Sequence, residues 1–351
     1  MMEARLYEKT DKHAVLCRLC AHGCRIAVGR RGICGVRENR DGTLYTLVYG
    51  KLIAEHVDPV EKKPMFHFQP GTRSYSIATV GCNFRCANCQ NAEISQAPKD
   101  IPSMLVPEGF NRGETFEGKL GSDATPYEAA HEAAETGCSS IAYTYTEPTI
   151  FFEFAQDTAR VAKSLGLKNI FVTNGYMTRQ CLDEMKGLLD GANVDLKSAS
   201  DDFYKKVCGA TLAPVRESIE YMRALGVWVE ITTLIIPTLN DSEEELKETA
   251  RWIASVDNAI PWHVSAFHPA YKLMDLPPTS ESTVIRAREI GLTAGLKYVY
   301  TGNIQAGDGE NTYCPACKTR LITRRGFIVT SNLVDDGKCP QCKATIEGVD
   351  L

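Results

Sequence analysis

The stretch YSIATVGCNFRCANCQN, residues 75–91, sets an apolar run directly against three cysteines, Cys82, Cys86 and Cys89, spaced C-x3-C-x2-C. Three thiols are an odd number for disulfides and one short of the closed four-ligand tetrahedron of a structural zinc site. A cubane [4Fe–4S] cluster commonly takes one thiolate on each iron, so three cysteines on one loop leave an iron able to bind something else. Zinc completed by a histidine or water is the alternative, although no histidine lies near in sequence. The spacing therefore predicts a metal centre with one open position at the end of a buried strand.

Working outward, short apolar runs alternate with helix-like stretches from about residue 75 to 301. The runs after YSIATV are SIAYTY, NIFVTN, ANVDL, VWVEITTLII, WHVSAF and KYVYTG. Between them lie helical patterns, one opened by Thr125, Pro126 and Glu128 as a capping box, another by Ser242 and Glu245, and a third expected over Arg179–Leu189. A long polar, glycine-containing loop is expected over roughly residues 98–122. Continuous apolar strands separated by helices imply a parallel sheet covered by helices. Polar residues follow every run: the cysteines, then Thr146 and Glu147, Asn174, Asp195 and Lys197, the PTLND segment, His268, and Asn303. A (β/α) barrel collects strand C-termini on one face, where such enzymes keep their active sites. The expected fold is thus α/β, a partial TIM-like (β/α) barrel.

The chain of 351 residues has 44% hydrophobic and 24% charged residues, ordinary for a soluble globular protein with a substantial core. No stretch approaches the ~18 apolar residues of a membrane span, and the N-terminus lacks a secretory pattern, so a cytoplasmic location is expected. The net charge of −5 argues against a general nucleic-acid binder. It is unevenly spread, at +4 over residues 1–70, −11 over the middle and +2 over residues 313–351. Solvated surface accounts for this more simply than docking of an acidic partner or RNA.

Fourteen cysteines are many for a reducing compartment, and eleven fall in three tight groups. Cys314-x2-Cys317 and Cys339-x2-Cys342 are two knuckles flanking a hairpin-like stretch, the pattern of a structural zinc ribbon, with iron as the alternative. Cys17, Cys20, Cys24 and Cys34 form the third group, whose irregular gaps suit zinc, while the resemblance described below keeps a second cluster open as the alternative. The remaining Cys138, Cys181 and Cys208 read as buried structural thiols. His56, Asp58 and His67 read as ordinary packing rather than another metal site. The expected organisation is a Cys-rich module with short strands over 1–72, a barrel over 73–305 and a zinc-ribbon-like module over 306–351.

C-x3-C-x2-C after a first barrel strand is the signature of the radical S-adenosylmethionine (SAM) superfamily. Over essentially the whole chain the sequence resembles the radical SAM enzyme of the AmmeMemoRadiSam system, a relative of pyruvate formate-lyase activating enzyme. The resemblance is carried by CRLCAHGCRI, RRGICGVREN, GKLIAEHVDPVEKKP, GCNFRCANCQN, YTYTEPTIF, TNGY, VDLKS, FHPAYK, PPT and GNI…GENTYCPAC. It implies that Cys82, Cys86 and Cys89 hold three irons while the amine and carboxylate of SAM chelate the fourth. It further implies SAM contacts from Glu147, Asn174, Asp195, Lys197 and His268. Two glycines of the family's Gly-Gly-Glu-Pro-like segment are absent, and Asn88 stands where many members carry an aromatic residue.

The resemblance implies one-electron reduction of SAM to methionine and a 5′-deoxyadenosyl radical that abstracts hydrogen from a substrate, with a flavodoxin or ferredoxin as electron donor. A narrower reading is an activase that installs a glycyl radical on a protein partner. From a different class, a non-catalytic iron–sulfur and zinc scaffold or an RNA- or protein-binding adaptor would be expected to have lost the SAM contacts. Those residues are all present.

Overall fold

A computed structural model describes residues 1–100, 121–305 and 307–351. Its centre is one eight-stranded sheet whose spatial order follows the chain: β1 (Ala54–Pro59), β2 (Arg73–Ala78), β3 (Ser140–Tyr143), β4 (Lys168–Thr173), β5 (Gly191–Asp195), β6 (Trp228–Ile235), β7 (Trp262–Ala266) and β8 (Val299–Gly302). β1 pairs antiparallel with β2. The strands β2 to β8 are parallel throughout. A sheet wound in one direction, without a reversal of strand order, is barrel-like rather than doubly wound. The sheet stays open, since β1 and β8 are its two edges.

Among the described residues, each successive pair of parallel strands is connected by a helix of six or more residues: α1 (Pro126–Glu135), α2 (Phe152–Ser164), α3 (Arg179–Glu184), α4 (Ala213–Ala224), α5 (Glu243–Val256) and α6 (Glu281–Thr293). Thr125 and Glu128 form the expected capping box of α1. At α5 only half of the expected box forms. Ser242 accepts from the Glu245 amide, but the Glu245 carboxylate turns away to Ser198 and the Ala199 amide, tying α5 to the loop after β5. Helix α3 is shorter than expected, because Lys186 and Leu188 turn back onto Asp183 and Met185. Most of the loop expected over residues 98–122 lies outside the described residues.

The N-terminal ends of the strands are closed by the segment after β1. Met65 and Phe68 lie so close to Gly191, at the start of β5, that a Cβ there would sit 2.8 Å from the Phe68 ring. Asn193 donates to the Pro64 carbonyl. The C-terminal hairpin Arg320–Arg325 and Ile328–Asn332 docks on the same end. Arg324 reaches in from it, donates to the Phe66 carbonyl at 2.7 Å and faces the buried Glu61. His67 is fully buried there, with Nδ1 on the Glu347 carbonyl and Nε2 on the Tyr300 hydroxyl. Asp58 pairs with Lys62 and Lys63. Both side chains are thus engaged in packing contacts.

Burial pushes His67 down from 6.5 to about 4. The folded state then binds fewer protons than the unfolded chain between those values, so stability is present above pH 6.5 and is lost as pH falls towards 4. Urea midpoints measured across that window should fall for the native chain, and the slope between pH 6.5 and 5 should flatten in His67→Gln. An unchanged slope would assign the acid loss to other groups.

Candidate cysteine-loop active site

Residues 79–91 leave β2 at the C-terminal face of the sheet and fold against three neighbouring segments. Arg85 and Ala87 donate their amides to the Cys208 and Val207 carbonyls, at 2.8 and 2.9 Å. Lys272, in the loop after β7, donates to the Ala87 carbonyl. His22 of the N-terminal segment bonds the Asn83 carbonyl through Nε2, at 2.9 Å. The cysteine loop is therefore clamped by backbone bonds to two segments and by the His22 side chain from a third.

The three thiols are free, with Cys86 buried and Cys82 and Cys89 half-buried. Among the described residues, no three of their sulfurs and the neighbouring carboxylates or imidazoles gather within the 4.8 Å that a single ion would need. Such separation suits a polynuclear centre, in which each thiolate has its own iron. Cys82 and Cys89 are pushed up chiefly by burial, and Cys86 first by its hydrogen bond with Cys208 and then by burial. Protonated thiols in such a site give way to thiolates when a cation replaces the protons. Two buried polar atoms of this loop have no partner, Asn83 Nδ2 and Asn88 Oδ1. A donor and an acceptor left open beside the thiols fit a site that takes a polar group together with a cluster.

Glu147 lies at the end of β3 and is 1% exposed. Its Oε1 accepts from the Thr149 amide at 3.0 Å and from the Thr149 and Thr173 hydroxyls, while Oε2 accepts from the Asn174 amide at 2.8 Å. Burial raises its pKa against these donors. Oε2 retains a further lone pair for a ligand amine. Asn174, at the end of β4, donates from Nδ2 to Asn83 Oδ1 at 2.7 Å and lies 3.8 Å from Cys82 Sγ. Its amide is thus already engaged in fixing the cysteine loop.

At the end of β5, Lys197 Nζ pairs with Asp195 at 2.9 Å. Burial disfavours the Lys197 charge, but the Asp195 carboxylate and the neighbouring Cys86 and Cys208 outweigh it and raise Lys197. A second amine, that of Lys99, donates to the Phe84 carbonyl, and burial lowers its pKa against the opposing effect of Cys82. His268 follows β7 and is exposed, with no contact that draws it into this group. Four contributors were not expected from sequence: Asn83, Ser95 (3.1 Å from Cys89 Sγ), Lys99 and Cys208. Cys208 ends a π-helical turn, Tyr204–Cys208, a distortion common at functional sites. Nothing in the spacing of a lone cysteine more than a hundred residues away signals that contact.

The other cysteine groups differ in geometry. The sulfurs of Cys314, Cys317, Cys339 and Cys342 all lie within 4.8 Å of one another, with Cys314–Cys342 and Cys317–Cys339 both at 3.6 Å. That is the spacing of a mononuclear tetrahedral site. Cys17, Cys20, Cys24 and Cys34 surround a separate cavity.

The Radical SAM superfamily profile matches residues 76–253. An uncharacterized protein of Methanocaldococcus jannaschii is 42% identical over 354 residues, covering 100% of this chain and 99% of that protein. The pyruvate formate-lyase-activating enzyme of Clostridium pasteurianum is 23% identical over 211 residues, 58% of this chain and 81% of the enzyme. Among solved structures, Streptococcus suis SuiB superposes with a TM-score of 0.49 at 13% identity, over 70% of this chain and 52% of that one. The chain belongs to the radical SAM superfamily and is homologous to the pyruvate formate-lyase activating enzymes.

Replacing Glu147 by Ala would leave the Asn174 and Thr149 amides without an acceptor in a dry site. A loss of about 3 kcal/mol is expected from hydrogen bonds to one buried carboxylate, measured by chemical unfolding. A loss below about 1 kcal/mol would show that Glu147 is not the tie between β3 and β4.

Proposed function

We propose that this radical SAM protein cleaves SAM reductively and uses the resulting radical to abstract hydrogen from a substrate. The observation that carries the reading is the clamped three-cysteine loop on the strand ends, with Glu147, Asn174, Asp195 and Lys197 gathered around it. Cys82, Cys86 and Cys89 would hold a [4Fe–4S] cluster, and Glu147, Asn174, Asp195, Lys197 and His268 would contact SAM. A [4Fe–4S] cluster held there would supply the one-electron chemistry, passing an electron from an external reductant to the SAM sulfonium so that the C5′–S bond would break to methionine and a 5′-deoxyadenosyl radical.

The chain's own residues do the positioning. Lys197, oriented by Asp195, brings positive charge to a loop that becomes anionic when its thiols ionise, and offers a partner for a ligand carboxylate. Glu147 presents an acceptor lone pair beside Asn174. Asn174 holds Asn83, and through it the loop, against the ends of β3 and β4. The buried walls around Cys86 exclude water, which protects a radical from quenching.

A second reading, activation of a protein partner by hydrogen abstraction, is supported by homology to the pyruvate formate-lyase activating enzymes. A flavodoxin or ferredoxin would serve as the electron donor, and the cytoplasm is the compartment that keeps so many thiols reduced. The Cys314, Cys317, Cys339 and Cys342 tetrad would hold zinc and stabilise a terminal module too small to build much core alone. No described helix is long and apolar enough to cross a membrane. The division into modules at 1–72, 73–305 and 306–351 belongs to the same proposal.

Anaerobic reconstitution, reduction and addition of SAM should yield 5′-deoxyadenosine, and Cys86→Ala should abolish it. Product from the variant at the native rate would sink the cluster assignment. Separately, the purified chain should carry about one zinc that Cys314→Ser removes, with a lower thermal midpoint. An unchanged metal content would refute the tetrad as its site.

A further inference from the structure

The N-terminal cysteines form a site of their own. Cys17, Cys20, Cys24 and Cys34 line a small cavity together with Gly32 and Arg37. A Cβ at Gly32 would stand 3.8 Å from both Cys24 Sγ and Cys34 Sγ, so a larger residue would intrude on the space between them. All four thiols are free.

Two observations choose among the centres that four thiolates can hold. The first is spacing. A single tetrahedral ion with Zn–S bonds of about 2.3 Å holds its sulfurs within about 4 Å of one another. The C-terminal tetrad approaches that arrangement, with all four sulfurs within 4.8 Å and two pairs at 3.6 Å, whereas no three of these four sulfurs lie within 4.8 Å of one another. They share the wider arrangement with Cys82, Cys86 and Cys89. A cubane gives every thiolate its own iron and so needs the larger separation.

The second is an unsatisfied cation. Arg37 is 1% exposed, and its Nη2 is held by Glu153, yet Nε and Nη1 have no hydrogen-bond partner. Two buried N–H donors on a cavity wall made of thiols suit the sulfurs of an anionic cluster. His22 also lines the cavity, and its Nε2 is engaged by the Asn83 carbonyl, so the four thiols already supply one ligand for each iron without that nitrogen.

We propose that Cys17, Cys20, Cys24 and Cys34 bind a second, fully cysteine-ligated [4Fe–4S] cluster. It sits directly behind the first cysteine loop, because the Cys34 carbonyl lies 3.2 Å from where a Cβ of Gly81 would be, and Cys82 follows Gly81. The His22–Asn83 bond joins the two loops. The proposal is independent of SAM cleavage, since it concerns a different set of ligands.

The test uses the full chain, reconstituted anaerobically with iron and sulfide, and reads metal, acid-labile sulfide and the Mössbauer spectrum. The native chain should bind about eight irons and eight sulfides. The variant C82A/C86A/C89A, which leaves every N-terminal ligand intact, should keep about four of each. Adding C20A and C24A to that variant should remove the remainder. Zinc in place of iron in the first variant, iron without sulfide, or no retained iron would each overturn the proposal. So would a native chain with only about four irons, all lost when Cys82, Cys86 and Cys89 are replaced.

Discussion

The Glu147 carboxylate accepts from two amides and two hydroxyls in a dry site, and the geometry of the reactive end of the sheet hangs on that anchor. A buried carboxylate is unfavourable unless its lone pairs are met, and here the donors come from two adjacent strand ends, β3 and β4. Asn174 carries the constraint further, since its backbone is held by Glu147 while its side chain holds Asn83. Cys82 is the residue before Asn83. A chain of two polar contacts therefore helps set the position of the cysteine loop over the sheet, beside the bonds to Cys208, Val207, Lys272 and His22 and the packing of Phe84 in the core. Short, directional links of this kind are what a site must have if a bound group is to meet its ligands without rearrangement.

The opposite end of the sheet is built on the same principle with different residues. Glu230, fully buried in β6, accepts from the Phe66 and His67 amides and pairs with His263 at 2.7 Å. Arg324 arrives from the C-terminal hairpin, faces Glu61 and lies over the Phe66 ring. These groups fasten the segment after β1 and the C-terminal hairpin to the strand starts. The polar network lies where no ligand is needed, and it leaves the strand C-termini free for chemistry.

Much of this was readable in the sequence because period and punctuation agreed. Seven apolar runs with helical patterns between them specify parallel strands, and the Thr125 capping box marks the start of α1 as expected. The residues after each strand were recognisable because parallel strands deliver all their C-terminal loops to one face. What escaped were contacts made across long separations by residue types with no motif. Cys208 reaches Cys86, Asn83 reaches Asn174, and Glu245 abandons its cap for Ser198. Each is decided by tertiary packing, which overrides a local preference worth about 1 kcal/mol. The open edge between β1 and β8 agrees with the expected partial barrel.

The three cysteine groups share similar spacing along the chain and yet differ in how closely their sulfurs approach. Each contains a C-x2-C pair, at Cys17 and Cys20, Cys86 and Cys89, and twice in the C-terminal tetrad. What differs is the backbone that presents the other ligands. In the C-terminal group, two equivalent turns face each other and bring sulfurs to 3.6 Å. In the N-terminal group, Cys17 ends a strand, Cys20 bridges to Met177, and Cys34 follows a turn at Gly32, so the thiols approach from unlike directions and stay apart. A pair of knuckles collapses onto one ion because its symmetry allows all four sulfurs to converge. A set drawn from a strand end, a docked loop and a turn has no such freedom, and its backbone is held by bonds to β4's end before any metal arrives. The distance between anchored elements, rather than the number of residues between cysteines, therefore decides whether an ion or a cluster can be held.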